Sequence, residues 1–177
     1  MFEQAGGGPE AFHGGFGMMH VHGIKKPSYW AYYFLNRLGE EELAREDEGI
    51  VTRSKDGKLQ ALFYNYAKEL KQAVPIAGYP HYERAEAIQD MGQERVQQIY
   101  LKGLLAGAIF RISTLDKEHS SAELWRKMGY PKNLTKQQEH ALKEVSPALS
   151  FATADENGEL NLSIRLLPWS IVLLEQV

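Results

Sequence analysis

Two histidines separated by one residue, His20 and His22, are the side chains in this sequence best spaced to share a metal ion. On a β-strand, side chains two residues apart project from the same face, so both imidazoles could reach one ion. Zinc sites use three or four protein ligands, and no third ligand follows at a diagnostic spacing. The alternative is that both histidines pack or hydrogen-bond within the fold. The sequence therefore predicts that the chain binds no metal and no cofactor.

A Gly-rich segment at residues 6–11 fits a degenerate G-x-G-x-x-A pattern. A dinucleotide-binding turn needs a strand before it and a helix after it, whereas Pro9 interrupts this pattern and no strand precedes it. A loop is the better interpretation. The acidic runs at residues 40–42 and 46–48 are typical of solvated surface, and their spacing identifies no catalytic pair.

Aromatic side chains could stack on sugar rings. Five of them recur at residues 29–34 with helical spacing, which is more typical of core packing than of a ligand platform. Tyr79, Tyr82 and Tyr130 lie in predicted loops, so they are better placed to be exposed. None of the three identifies a site by itself.

Composition excludes several classes of function. Twenty Lys and Arg residues against 23 Asp and Glu residues give a net charge of −3, so we expect no nucleic-acid partner. No apolar run reaches the roughly 18 residues of a membrane-spanning helix, and we expect no membrane partner. The first ten residues lack the basic and apolar segments of a signal peptide, and there are no cysteines. Together these features predict a cytoplasmic protein.

The elements that would position these side chains begin at residues 12–39. This stretch predicts a loop, a buried strand at residues 18–21, a basic turn and a helix at residues 27–38. Pro27 suits the first position of a helix, and Gly39 suits its end. A strand followed by such a helix is one β/α unit of a barrel, and no other unit of this kind follows. We therefore expect the last piece of a larger fold.

The rest of the chain predicts short strands joined by tight turns. Asp56-Gly57 and Asn157-Gly158 separate strand-like runs, and such dipeptides favour hairpins. Capping patterns that begin at Ser120 and Thr135 predict two helices. Strands are predicted at residues 50–53, 59–66, 96–101, 108–112, 148–154, 160–166 and 170–175, helices at residues 121–129 and 136–145, and a long irregular connection at residues 67–91. The predicted fold class is mainly β, an antiparallel β-sandwich with a helical-hairpin insertion at about residues 116–146.

Several blocks of this sequence resemble glycoside hydrolase family 39, the β-xylosidases. Residues 12–17 and 23–32 are similar to the end of the family's catalytic barrel. Further blocks follow in the family's order, with the last barrel helix, the accessory sandwich, the helical insertion and the closing strand at residues 34–39, 56–66, 112–131 and 167–175. The resemblance covers nearly the whole chain.

The resemblance implies two domains. Residues 1–39 would be the last strand and helix of a (β/α)₈ barrel, and residues 40–177 an accessory β-sandwich. Family members are retaining glycosidases with an acid/base glutamate and a nucleophile glutamate on earlier barrel strands. Neither glutamate has a motif match here, so no catalytic residue is carried over. We expect the C-terminal portion of a β-xylosidase-like enzyme for xylo-oligosaccharides that is inactive by itself.

The resemblance also implies a substrate contact. In the family, the segment that leaves the last barrel strand carries an acidic residue near the bound sugar. This segment corresponds to residues 2–4, so Glu3 is the predicted substrate-binding residue, with Phe12 and His13 as weaker neighbours. The family often has a second acid where Gln4 stands, and this chain departs from the pattern there.

Two alternatives stay open. The chain could be a carbohydrate-binding module that uses exposed aromatic side chains. It could also be a structural or assembly domain in which residues 12–39 dock onto a separate upstream catalytic barrel. The expected partners are a xylo-oligosaccharide or xyloside in the intact parent, the catalytic barrel, and further copies in a homo-oligomer.

Overall fold

The computed structural model describes residues 12, 17–20, 22–69, 88 and 91–177. Within these ranges the chain is mainly antiparallel β-sheet with few helices. The helices are α1 (Pro27–Leu35), α2 (Ser121–Lys127) and α3 (Lys136–Glu144). The strands are β1 (Glu41–Glu46), β2 (Gly49–Arg53), β3 (Leu59–Asn65), β4 (Arg95–Leu101), β5 (Ile109–Leu115), β6 (Ala148–Thr153), β7 (Leu160–Leu166) and β8 (Ser170–Gln176).

The strands form two sheets. Six strands are ordered β1-β2-β3-β8-β5-β6, and β4 pairs with β7 in a second sheet. Every pairing is antiparallel. The predicted Asp56-Gly57 turn joins β2 to β3, and Gly57 has a φ of +84°, which a residue with a side chain adopts only under strain. The order places β8 between β3 and β5.

One hydrophobic core includes residues from both sheets. Because successive side chains on a strand point to opposite faces, alternate residues of β3, β5 and β8 reach this core. Its buried members are Ala61, Phe63, Ile99, Phe110, Ala154, Leu160, Ile164, Leu166, Val172 and Leu174. A fully buried Val, Leu or Ile side chain contributes about 2 kcal/mol through removal from water. This cluster is therefore the main source of stability.

Helix α1 packs on the other face of the six-stranded sheet. Phe34 is 1% exposed and clusters with Leu62, Leu115 and Leu173, which point away from the first core. Gly39 allows the chain after α1 to approach β2, because a Cβ there would lie 2.3 Å from the Arg53 carbonyl carbon. This close approach fixes α1 against the sheet.

An ionic contact also ties α1 to the sheet. Glu175 on β8 is buried, and its carboxylate accepts hydrogen bonds from Arg37 Nε at 2.7 Å and from Arg111 Nη2 at 2.7 Å. Arg37 follows α1, and Arg111 lies on β5, the neighbour of β8. The hydrogen bond and the opposite charge of Glu175 raise the pKa of Arg37 above its ordinary value. The carboxylate therefore connects three elements.

Helices α2 and α3 begin at the two predicted caps. The Ser120 hydroxyl accepts a hydrogen bond from the Glu123 N–H, and Thr135 forms a full capping box with Gln138. Trp125 of α2 and Leu142 of α3 bury Ile24 between them. The helical pair thus packs against the segment before α1, as well as interrupting the strands.

Several predicted boundaries differ from the structure. The predicted helix at residues 27–38 ends at Leu35, because the Arg37 N–H bonds to the Phe34 carbonyl in a tighter turn. The described residues of the predicted strand at 18–21 form one bridged pair, Met19 with Lys25. Gly23, with φ +83°, turns the chain there, so the His20 N–H bonds locally to the Ile24 carbonyl. That prediction of a strand is wrong for these residues.

Two further predictions concern the irregular connection at residues 67–91 and membrane-spanning helices. Most of the irregular connection predicted at residues 67–91 lies outside the described residues. Among the helices of the described ranges, none is long and apolar enough to cross a membrane.

Candidate functional site

A cavity of about 360 Å³ lies between α2 and the turn that precedes β8. Aromatic side chains dominate its wall. Trp125 stands at its centre, with the Phe12 ring at 5.4 Å and the Tyr130 ring edge-on at 4.9 Å between centroids. The Trp125 indole N–H donates to the Pro131 carbonyl at 3.1 Å, which fixes the orientation of the ring. Trp125 itself is buried, so it supports Phe12 and Tyr130 in the wall of the cavity.

Trp169 forms the opposite wall of the cavity. Its indole N–H donates to the Ile88 carbonyl at 3.0 Å, and its ring meets Tyr66 edge-on at 5.5 Å. Trp169 and Tyr130 have φ angles of 65° and 56°, and they are the non-glycine residues with positive φ in the described ranges. Such strained backbone tends to occur at functional sites. Both strained residues line this cavity, which makes it the strongest candidate for a binding site.

The charged rim of the cavity is paired internally. Glu123 and Arg126 form two hydrogen bonds of 2.7 Å, and Lys127 approaches Glu123 to 3.5 Å. The hydrogen bonds from Arg126 hold the pKa of Glu123 below its usual range, although partial burial opposes this shift. Glu123 is therefore a permanent carboxylate that can accept hydrogen bonds from a hydroxylated ligand. It is not set up to donate a proton.

The structure locates one of the three predicted substrate contacts. Phe12 lies in the cavity wall beside Trp125, as described above. Glu3 and His13 lie outside the described residues. Sequence reasoning did not single out Trp125 or Trp169. The signal that could have identified Trp169 is an aromatic residue next to Pro168 in a predicted turn between strands.

The histidine pair adopts a different geometry from the one predicted. His20 and His22 lie on a turn, and their rings stack at 4.9 Å between centroids. The His22 N–H donates to His20 Nδ1 at 3.3 Å, and His22 Nδ1 lies 3.4 Å from a Glu139 carboxylate oxygen. Within the described residues, no group of three or more His, Asp or Glu side chains is arranged to hold a metal ion.

The aromatic stripe on α1 is only partly core, contrary to the prediction. Phe34 is buried, but Tyr32 is 62% exposed, and Tyr33 and Leu35 are exposed as well. The Lys25 ammonium lies 4.8 Å from the Trp30 ring centroid, a cation–π contact at the base of the helix. The reason for the difference is that the six-stranded sheet covers one side of α1, and the other side has no cover from the described residues. We call Tyr32, Tyr33 and Leu35 the α1 surface.

Comparison with known proteins identifies the family. The family model of the glycosyl hydrolases family 39 matches residues 1–160. The chain belongs to this family. The β-xylosidase of Geobacillus stearothermophilus is 27% identical to this family 39 chain over 177 residues, which cover 99% of the chain and 31% of the relative. The β-xylosidase of Caldicellulosiruptor saccharolyticus is 25% identical, with coverage of 97% and 33%.

The family 39 chain thus spans about a third of the length of the curated relatives that it matches. The crystal structure of the family 39 enzyme from Xanthomonas axonopodis pv. citri aligns with 94% of this chain and 33% of its own, with a TM-score of 0.69 and 19% identity. That likeness shows a shared fold. The resemblance to a C-terminal portion of family 39, stated from the sequence, is confirmed.

Proposed function

We propose that this chain is the C-terminal part of a β-xylosidase-like retaining glycoside hydrolase that acts on xylo-oligosaccharides. The observation that carries the proposal is the family 39 match over residues 1–160, together with relatives named β-xylosidases. A (β/α)₈ barrel needs about 250 residues, and a retaining site needs two carboxyl groups about 5 Å apart within it. The chain has 177 residues, and its described strands and helices are those of the two antiparallel sheets, α1 and the helical pair.

The chemistry of the described carboxyl groups agrees with a chain that is inactive by itself. Wherever a carboxyl group in the described ranges has a clearly shifted pKa, the shift is downward. These groups are Glu42, Asp56, Glu94, Glu123 and Glu139. In each case a side-chain hydrogen bond favours the carboxylate. The general acid of a glycosidase needs a raised pKa. The acid/base and nucleophile glutamates would then belong to the catalytic barrel.

The proposal divides the chain at residue 39. Residues 1–39 would complete the barrel with helix α1 and the segment before it, and residues 40–177 would form an accessory β-sandwich. The exposed α1 surface supports this division. The six-stranded sheet covers one side of α1, and the apolar side chains on its other side need a second partner that covers them. The catalytic barrel is that partner, and Glu3, Phe12 and His13 would face the sugar from the segment before α1.

An assay on an aryl β-xyloside tests the absence of activity. We expect the purified chain to release no more phenol than a buffer blank, whereas the Geobacillus stearothermophilus β-xylosidase serves as the active control. Turnover that stays constant through successive purification steps would contradict the proposal.

A chimaera tests directly whether this chain can serve as the C-terminal part of a β-xylosidase. The matching third of the Geobacillus stearothermophilus enzyme is replaced by this chain, and the same third is deleted in a control. We expect hydrolysis of xylo-oligosaccharides by the chimaera and not by the deletion. A folded, soluble chimaera that is as inactive as the deletion would contradict the assignment.

A carbohydrate-binding module is the second candidate. The aromatic cavity favours it, because the partly exposed rings of Trp169 and Tyr130 in its wall suit a sugar face. Isothermal titration with xylotriose distinguishes this candidate, since a module binds saturably without hydrolysis. Trp169→Ala should abolish that binding, and Tyr100→Ala, which removes an exposed aromatic on β4 outside the cavity, is the matched control.

A further inference from the structure

The strand β6 forms one edge of the six-stranded sheet. It pairs with β5 on one side, and within the described ranges no strand pairs with its other side. Its sequence, Ala-Leu-Ser-Phe-Ala-Thr, carries no charge. Leu149 and Phe151 are 63% and 64% exposed. An open, uncharged edge with large apolar side chains is a template for pairing with another chain.

The hydrogen bonds beside β6 determine which of its residues face outward. The Ala154 N–H donates to the Ala108 carbonyl, just before β5, at 2.9 Å. Alternate residues of an antiparallel strand direct both backbone groups to the same neighbour. Leu149, Phe151 and Thr153 therefore direct their N–H and C=O groups away from β5. The two exposed apolar side chains belong to residues whose backbone groups lie at the open edge.

We propose that this chain self-associates through β6, which pairs antiparallel with β6 of a second copy about a two-fold axis at Ser150. In this register, Leu149 of each copy lies opposite Phe151 of the other. These two pairs exchange about four backbone hydrogen bonds, because both residues present their N–H and C=O groups outward. Apolar cross-strand pairs add to the stability of such a ladder. The proposal concerns assembly and is independent of the proposed glycosidase function.

The sequence of β6 favours a second copy over other occupants. A two-fold axis places a surface against itself, so the surface must be self-complementary. Residues 148–152, Ala-Leu-Ser-Phe-Ala, are nearly symmetric about Ser150, and the strand places no like charges opposite each other. The nearest charge across the ladder is Arg111, opposite Phe151, and it is bound to Glu175. The edge thus offers nothing that selects a charged partner.

Sedimentation of the full chain tests the proposal with one variant on each edge of the sheet. Phe151→Lys puts a charge at the proposed contact, and Leu43→Lys puts the same charge on the partly exposed leucine of β1. A contact of one strand pair is small, so we expect a reversible dimer with a dissociation constant of about 10–100 µM. Phe151→Lys should weaken it at least tenfold, and Leu43→Lys should leave it unchanged.

Other outcomes of this experiment would overturn the proposal. A wild-type chain that stays monomeric at several hundred µM contradicts it. So does a dimer that both lysine variants weaken equally. A dimer that survives Phe151→Lys but is lost in Tyr33→Lys would assign the contact to the α1 surface.

Single cysteines test the register without disrupting the edge. The sequence has no cysteine, so one introduced thiol is unique. At the proposed axis, the two Ser150 Cα atoms form a pair without hydrogen bonds, about 4.5 Å apart and within reach of a disulfide. Under mild oxidation we expect a covalent dimer of Ser150→Cys. Thr153→Cys, exposed on the same strand but opposite Pro147 of the second copy, should not cross-link. Equal or reversed yields would overturn the register.

Discussion

The two edges of the six-stranded sheet have opposite characters. At one edge, β1 has the sequence Glu-Glu-Leu-Ala-Arg-Glu, and every residue is exposed. Its register shifts between Glu42 and Ala44, and Arg45 pairs with Glu42 at 2.6 Å. At the other edge, β6 has a regular register, no charge and two large exposed apolar side chains. One sheet therefore ends in a charged, irregular strand and in a neutral, regular one.

The difference shows which edge of the sheet has features that prevent pairing with a strand of another chain. Charged side chains and bulges are the usual means by which an edge strand avoids another strand. β1 uses both. β6 uses neither, although Leu149 and Phe151 would accept polar substitutions without loss of buried contacts, because their side chains are exposed. An edge left open in this way fits a strand that is covered in the assembled protein.

The largest expected effect separates the centre of the sheet from its edge. Leu174→Ala on β8 removes a side chain that is 1% exposed, and we expect a loss of about 3 kcal/mol in the free energy of unfolding. Leu149→Ala on β6 should change it by less than about 0.5 kcal/mol, because that side chain is exposed in the monomer. Urea denaturation at low protein concentration measures both. A large loss for Leu149→Ala would show that β6 belongs to the core of the single chain.

The second effect separates a buried ion pair from an edge ion pair. Glu175→Gln removes the charge that binds Arg37 and Arg111, and we expect a loss of about 2 kcal/mol, since hydrogen bonds to charged groups are the stronger kind. Glu41→Gln on β1 breaks only the exposed pair with Arg53, at 3.3 Å, and should cost less than about 0.5 kcal/mol. The same denaturation experiment in 1 M salt should erase the smaller loss and keep most of the larger one.

The smallest expected effect is a loss of negative charge on β1 at acid pH, which would make β1 more like the uncharged β6. Hydrogen bonding to Arg45 lowers the pKa of Glu42. A carboxyl group with a lowered folded-state pKa stabilises the fold fully above its unfolded pKa, about 4.3 for Glu, and loses this contribution as the pH falls through the folded value. Glu42 of β1 therefore keeps its charge until the pH falls below the range in which an ordinary glutamate is protonated.

Sedimentation across pH measures this effect. β6 has no titratable side chain. We expect constant association between pH 8 and pH 5, and additional association only at the acid end. A dimer that dissociates between pH 8 and pH 5 would contradict a neutral contact.

Local signals accounted for most of the secondary structure. The Asp56-Gly57 and Asn157-Gly158 turns and the caps at Ser120 and Thr135 lie where the sequence places them, because these signals act within a few residues. The predicted strand at residues 18–21 was wrong, because an apolar run does not reveal that Gly23 turns the chain back. The sheet order was not predicted at all, since it depends on contacts between distant residues.

The candidate site was less accessible from the sequence. Phe12 was named through a family resemblance, and the structure places it beside Trp125. Trp125 and Trp169 are 44 positions apart in the numbering, and only the folded chain places both of them around one cavity. The sequence also did not reveal the exposed α1 surface. Helical spacing of aromatic residues predicts that they are buried, but it does not show whether this chain or another one covers them.

The position of β8 in the sheet constrains the order of folding. The strands β1, β2 and β3 form one antiparallel unit, β5 and β6 form another, and among the described strands β8 joins them although it is the last of the eight in the sequence. During translation no described strand hydrogen-bonds to both β3 and β5 until β8 emerges, although the β4-β7 sheet shares a hydrophobic core with both units. Loss of residues 170–177 would therefore leave the inner edges of β3 and β5 unpaired. A truncation of only eight residues would thus divide the six-stranded sheet into two.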